Sequence, residues 1–160
     1  MQPAPQTQLQ PATSAPEGTP VRQISVFLEN RVGALLALVK LLGDHQIAVL
    51  GLSMQETTEL ALVRLILSSP EDAQMVCIEK GIAHAVTTVT AVELQETSTS
   101  LSQVLATLLS AEVNVAFSYP LLVRPSDRPV LILRLDSPDF AHKVLSKSGF
   151  KVLMQEDLSR

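Results

Sequence analysis

The stretch that decides the fold is Val63–Ala73, VRLILSSPEDA, read beside Leu131–Ala141, LILRLDSPDFA. Each is an apolar run that breaks at Ser-Pro and continues into acidic residues, and the two lie 68 positions apart. The match continues downstream, where Val76 falls on Val144, Cys77 on Leu145 and Gly81 on Gly149. Upstream the offset is 66: Leu28, Leu35, Val39 and Leu42 fall on Leu94, Leu101, Leu105 and Leu108, and Ile47 and Val49 on Val113 and Val115. A fixed period of this length is the signature of one structural unit written twice. The change from 66 to 68 places two extra residues between the matched segments, in a hairpin loop.

Each copy reads into the same elements. Ile24, Val26 and Leu28 alternate at period two, as a half-buried strand does. Leu35, Leu38, Val39 and Leu42, and again Leu101, Val104, Leu105 and Leu108, follow the i, i+3, i+4, i+7 spacing of one helical face. Two β-rich runs come next, Ile47–Gln55 and Leu60–Leu67, answered by Val113–Val123 and Pro129–Leu135. The Ser-Pro-acid strings Ser69-Pro70-Glu71-Asp72 and Ser137-Pro138-Asp139 open a second helix: Ser suits the N-cap, Pro the first helical position, and acids the positive end of the dipole. Gly81 and Gly149 stop it. A last strand, His84–Thr88 or Lys151–Glu156, completes each copy.

The order strand, helix, strand, strand, helix, strand, twice over, predicts an α+β chain of two ferredoxin-like βαββαβ domains, residues 21–88 and 89–160. The run from His84 to Leu94 joins them without a linker. At about 3.3 Å per residue it would extend about 36 Å, so it should bend near Thr87–Thr90. Before the repeat, residues 1–20 hold five of the ten prolines and four glutamines; this composition predicts a disordered tail. It has neither the basic start nor the apolar segment of a signal peptide, and a cytoplasmic protein is expected.

Composition removes several classes. A net charge of −4 and only 3% aromatic residues disfavour nucleic-acid binding, and the central strands LALVRLIL and PVLILRLD carry no ring for stacking bases. No apolar run approaches a membrane span. The single cysteine, Cys77, lies on an apolar helical stripe and reads as a small core residue. His45, His84 and His142 show no metal-ligand spacing, so no metal and no cofactor are expected, and no catalytic motif is present. Ser- and Thr-rich Thr97–Ser102 reads as a helix-capping loop. Both faces of Leu60–Leu67 are apolar apart from Arg64, which predicts burial on both sides and self-association, a homodimer.

One turn has a mechanism of its own. In Glu29-Asn30-Arg31-Val32-Gly33-Ala34-Leu35 the glycine sits where a strand ends and a helix begins. Free N–H groups there, aided by the dipole, suit a carboxylate or phosphate, with Arg31 adding charge. The ordinary alternative is a tight βα turn in which Gly33 only relieves a positive φ. An acylphosphatase-type enzyme would use an Arg and Asn at such a turn, which Asn30-Arg31 matches only superficially.

VRQISVFLENRVGALLALVKLLGDHQIAVLGLSM, residues 21–54, resembles an ACT domain, the small-molecule regulatory module of amino-acid metabolism. Asn30-Arg31-Val32-Gly33-Ala34-Leu35 matches the family's D/N-R-P-G-x-L turn, and Gln46-Ile47-Ala48-Val49 and Glu112-Val113-Asn114-Val115 match its G-I-N-I/V entry into the second strand. The departures are Val32 for proline, Ala48 for asparagine, and the loss of both Pro and Gly from Thr97-Ser98-Thr99-Ser100. The resemblance covers Val21 to about Leu158. It implies a non-catalytic sensor whose domains pair side by side through the second-strand edge into an eight-stranded sheet, with helices on one face. An amino acid, with an aliphatic one favoured by the apolar surroundings, would bind at the seam. Asn30, Arg31, Val32, Gly33, Ala34 and Leu35 would line it from the first domain, and Val113 and Asn114 from the second. The reciprocal site, Ser98–Leu101 against Ala48, has neither Gly nor Asn, so one competent site per chain is implied. A partner enzyme of amino-acid metabolism would read the bound state. The competing implication is an interaction module with a degenerate pocket.

Overall fold

The computed structural model describes residues 17–159; the expected tail lies almost wholly outside the described residues. The first copy folds as β1 (Arg22–Glu29), α1 (Ala34–Asp44), β2 (Val49–Glu56), β3 (Leu60–Leu67), α2 (Pro70–Glu79) and β4 (His84–Thr88). The second follows as β5 (Thr90–Glu93), α3 (Thr97–Ser110), β6 (Val115–Pro120), β7 (Val130–Leu135), α4 (Pro138–Lys147) and β8 (Val152–Leu153), and a short α5 (Gln155–Leu158) ends the chain. The sheets are ordered β2-β3-β1-β4 and β6-β7-β5-β8, all neighbours antiparallel: the ferredoxin-like arrangement in both copies. The expected bend falls at Val89, the single residue between β4 and β5. The extra residues of the second copy lie in the β6–β7 connection, 121–129, against 57–59 in the first.

Each sheet packs one face on its own two helices. In the first copy Ile24, Val26, Val63, Leu65 and Leu67 meet Leu38, Leu42, Val76 and Cys77; in the second Val92, Leu131, Leu133 and Leu135 meet Val104, Leu108 and Leu145. The apolar stripes are narrower than the sequence suggests. Val39 and its counterpart Leu105 face outward in both copies, because only the a/d-like edge of each helix reaches the sheet.

The other faces meet each other. Ile66, Val21 and Leu50 of the first copy form one cluster with the joining residue Val89 and with Ala91, Tyr119, Leu121, Ile132 and Leu153 of the second. Within it the Tyr119 hydroxyl donates to Gln23 Oε1 at 2.7 Å, and the Gln23 amide donates to Ser25 Oγ at 3.0 Å. Arg64 lies over the Phe117 ring, 4.1 Å from its centre, which removes a cation from water at little electrostatic cost. The implied eight-stranded sheet does not form within the chain. β2 and β6 touch at one end, where Leu122 N–H donates to Leu50 O and Gly51 bridges Leu121. The two-sided apolar pattern of β3 is therefore satisfied in part by the sister sheet, which covers Ile66, while Leu60 and Phe27 stay about 45% and 43% exposed.

Local chemistry explains three further differences. Ser69 and Ser137 occupy the N-cap positions, yet neither side chain caps its helix, and Ser69 Oγ donates instead to Asp72 Oδ2 at 2.6 Å. Thr97–Ser102 is helix rather than loop, because Ser100 Oγ accepts from the Glu96 N–H and so holds the first turn of α3 despite its low-propensity residues. The last strand stops at Leu153: Met154 N–H donates to Asp157 Oδ2, turning the chain into α5. From there the Gln155 side chain donates to Leu67 O and accepts from Arg22 N–H, and Gln155 N–H donates to Thr19 O, so the C-terminus and residue 19 are tied to the first domain.

Candidate functional site

Gly33 takes φ 84° as N-cap of α1, a left-handed conformation that a side chain disfavours, and a Cβ there would meet nothing within 4 Å. Glycine is needed for backbone angle alone. No side chain caps this helix, so its first N–H groups depend on the backbone, on water or on a ligand. One of them is used: Ala34 N–H donates to Arg31 O at 3.3 Å, which folds residues 31–34 into a tight turn.

Asn30 fixes where the turn sits. Its side-chain amide donates to Glu56 Oε1 at 2.6 Å, and its backbone N–H donates to Glu59 O at 3.3 Å, tying the turn to the β2–β3 hairpin. Arg31 projects from the turn with Nε 3.5 Å from Glu29 Oε2; both side chains are well exposed, so the pair is worth little.

Between turn and hairpin lies an open cavity of about 310 Å³ with mainly apolar walls. Asn30, Arg31, Gly33, Ala34 and Leu35 line it, as the sequence reading expects, together with Leu28, Leu36, Met54 and Ala61. Leu28, Glu29, Leu36, Met54 and Ala61 are the wall residues that reading missed. Met54 follows Leu52 at period two on β2 and so carried a signal, whereas Leu36 is off the helical stripe and carried none.

The other expected residues lie elsewhere. Val32 is fully exposed. Val113 is buried in the second domain's own core, and Asn114 N–H donates to Asp136 Oδ1 at 3.2 Å while its carbonyl accepts from Asp136 N–H. The same bracket holds Ala48 in the first copy, with Ser68 in place of Asp136. The described walls of the cavity hold no residue of the second copy. At the position equivalent to Gly33 the second copy has Thr99, already inside α3, so the left-handed turn is replaced by extra helix.

Other chemistry-bearing groups are dispersed. Among the described residues no three His, Cys, Asp or Glu side chains gather as metal ligands, and no helix is long and apolar enough to cross a membrane. Cys77 is buried in the first core, and burial pushes its thiol pKa up. His45 and His84 place Nδ1 against the carbonyls of Leu41 and Ile82 at 2.9 Å. His142 is part-buried on α4, which lowers its pKa against the opposing pull of Asp139.

None of the curated proteins matches the chain. Among solved structures it is similar to a protein of Bacteroides thetaiotaomicron at 23% identity and TM-score 0.81, over 89% of this chain and 98% of that one. It is also similar to the ligand-free regulatory subunit of aspartate kinase from Thermus thermophilus, at 10% identity and TM-score 0.57, over 82% of this chain and 94% of that one. Aspartokinase alpha and beta subunits match at 15% identity and TM-score 0.56, over 80% and 91%. At these identities the likeness is one of fold. The sequence profile of the ACT domain pair, however, matches residues 19–160. Two βαββαβ units, joined by one residue and matched from end to end by that profile, make the chain a member of the ACT domain pair family.

Proposed function

We infer that the protein is a non-catalytic regulatory sensor whose first domain binds a small amino acid at the Gly33 turn. The observation that carries this reading is the α1 N-terminus, uncapped by any side chain, beside a mainly apolar cavity of about 310 Å³. The dipole and free N–H groups suit the ligand's carboxylate. Leu28, Leu36, Met54 and Ala61 suit an aliphatic side chain. Because α3 fills the equivalent turn, the reading gives one such site per chain, in a domain spanning residues 21–88, with 89–160 as its sister. Asn114 stays with Asp136 in its own domain, so its expected part in holding ligand requires a second copy of the chain, and the homodimer belongs to the proposal. A partner enzyme of amino-acid metabolism in the cytoplasm would respond to the bound state.

The test is thermal unfolding in the presence of each of the twenty amino acids. A ligand specific to the folded state raises the melting temperature, by roughly 2.7 kcal/mol of stabilisation at a hundredfold excess over Kd. Aliphatic amino acids should give the largest rise, and Gly33→Asp should abolish it by placing a carboxylate where the ligand's belongs. No rise with any of the twenty at high millimolar concentration sinks the reading.

A second reading, an assembly module with a degenerate pocket, is favoured by Phe27 and Leu60, which leave apolar surface on the half of the first sheet that the second does not cover. A monomer throughout in sedimentation across micromolar concentrations removes this reading and the homodimer of the first alike; the amino-acid thermal shift separates the two.

A further inference from the structure

We propose that the second domain carries a separate binding site for a small polar zwitterion, built around Glu93. Glu93 ends β5 and is only 7% exposed, yet its Oε2 has no hydrogen-bond partner among the described residues. Two cations approach loosely: Arg128 Nη1 lies 3.5 Å from Oε1, and Lys151 Nζ lies 3.8 Å from Oε2. Both cationic side chains are about half exposed, at 49% and 58%. A carboxylate removed from water is stabilised well only by short charged hydrogen bonds, and these contacts are too long to supply them.

The group faces a cavity of about 400 Å³, walled also by Gln95, Gln103 and Ser148. This volume lies within the range of small-molecule sites. The walls are polar where those of the Gly33 cavity are apolar, so the two sites call for different ligands. Oε2 is itself shielded from solvent, so a protonated amine reaches it as the flanking cations move aside, and then gives it the charged donor it lacks. Arg128 and Lys151, drawn off Glu93, then face the ligand's acidic group, while the two amides and the hydroxyl take further polar atoms.

The first copy serves as an internal control. Glu93 N–H donates to Lys151 O at 3.0 Å, and at the same place Phe27 N–H donates to Ala83 O at 3.1 Å. By the same register Gln103 corresponds to Ala37. The same backbone is thus built with Phe, Ala and Ala where the second copy has Glu, Lys and Gln. The fold does not need this charge set, whose one buried member, Glu93, is costly to take out of water and incompletely paired. Binding explains its presence here.

The experiment is thermal unfolding of the full chain with L-serine, L-glutamine and L-lysine as polar zwitterions, and with propylamine and acetate as probes carrying one charge each. At saturation a zwitterion should raise the melting temperature by roughly 5 °C, and the single-charge probes by much less. Glu93→Gln, nearly isosteric, and Arg128→Gln, at a half-exposed position, should each remove most of the rise, while Gly33→Asp leaves it intact. No rise with any of the three zwitterions overturns the proposal, as does a rise undiminished in both cavity variants. A rise lost in Gly33→Asp but kept in Glu93→Gln also overturns it and assigns the ligand to the first domain.

Discussion

Tyr119→Phe is the sharpest probe of how the two domains are held. The Tyr119 hydroxyl and the Gln23 side chain are both buried, 6% and 2% exposed, and their 2.7 Å hydrogen bond crosses from one sheet to the other. Removing the hydroxyl changes the ring's packing little but leaves Gln23 Oε1 without its donor. An orphaned buried acceptor costs about 1–3 kcal/mol. At roughly 2–4 °C per kcal/mol for a chain of this size, a loss of about 2 kcal/mol lowers the melting temperature by about 4–8 °C. Gln23→Leu should cost a similar amount by orphaning the hydroxyl from the other side. The double variant removes donor and acceptor together, so its loss should fall short of the summed single losses by about 1–2 kcal/mol. Urea unfolding followed by far-ultraviolet circular dichroism is the suitable assay: the chain has no tryptophan and its one tyrosine is the residue replaced, so intrinsic fluorescence is uninformative. Additive losses, or a Tyr119→Phe midpoint equal to wild type with unchanged slope, would refute the face-to-face packing derived from this bond.

Two further outcomes follow from the same geometry. Burial raises the Tyr119 pKa well above the ordinary phenol value, with Arg64 pulling weakly the other way, so the fold favours the neutral hydroxyl. The stability this provides is fully present below a pH of about 10 and is lost as pH rises from there toward the folded value; tyrosinate absorbance should therefore appear only together with loss of the circular-dichroism signal, and its appearance in a folded chain at the ordinary phenol pKa would contradict the burial. Gly33→Ala meets open space at Cβ but must hold φ 84°, so calorimetry should show a loss of about 1–2 kcal/mol with no change in sheet content, and a neutral result would mean that the turn relaxes out of the left-handed region.

The doubled βαββαβ order was legible because apolar spacing and Ser-Pro-acid punctuation are local, and both recur in register. The Gly33 turn was legible for the same reason: strand end, glycine and helix start are adjacent in sequence. The relation between the sheets was not. Leu62 and Ile66 on one side and Val63 and Leu65 on the other announce a strand apolar on both faces, but the pattern says only that a face is covered and never by what. The partner of Gln23 is a tyrosine 96 positions away. The helical state of Thr97–Ser102 was hidden because its residues favour caps and turns, and one hydroxyl, Ser100, accepting from the Glu96 N–H four positions back, reverses that preference. Asn114 matched a family string, yet its placement is set by Asp136 across the β6–β7 edge, which no local reading could weigh.

The single residue between β4 and β5 has a consequence for how ligands are counted. Two identical subunits meeting about a twofold axis must offer every pocket twice, and a change to one is a change to both. Here Val89 joins the halves covalently, with its N–H bound to Val21 O and its side chain in the shared core, so the two halves are free to differ. They do: a left-handed glycine stands in one half and a buried, half-paired glutamate in the other. With the two proposed sites unlike, each chain should answer each ligand once, with a hyperbolic isotherm of unit stoichiometry and no symmetry-imposed cooperativity inside the chain.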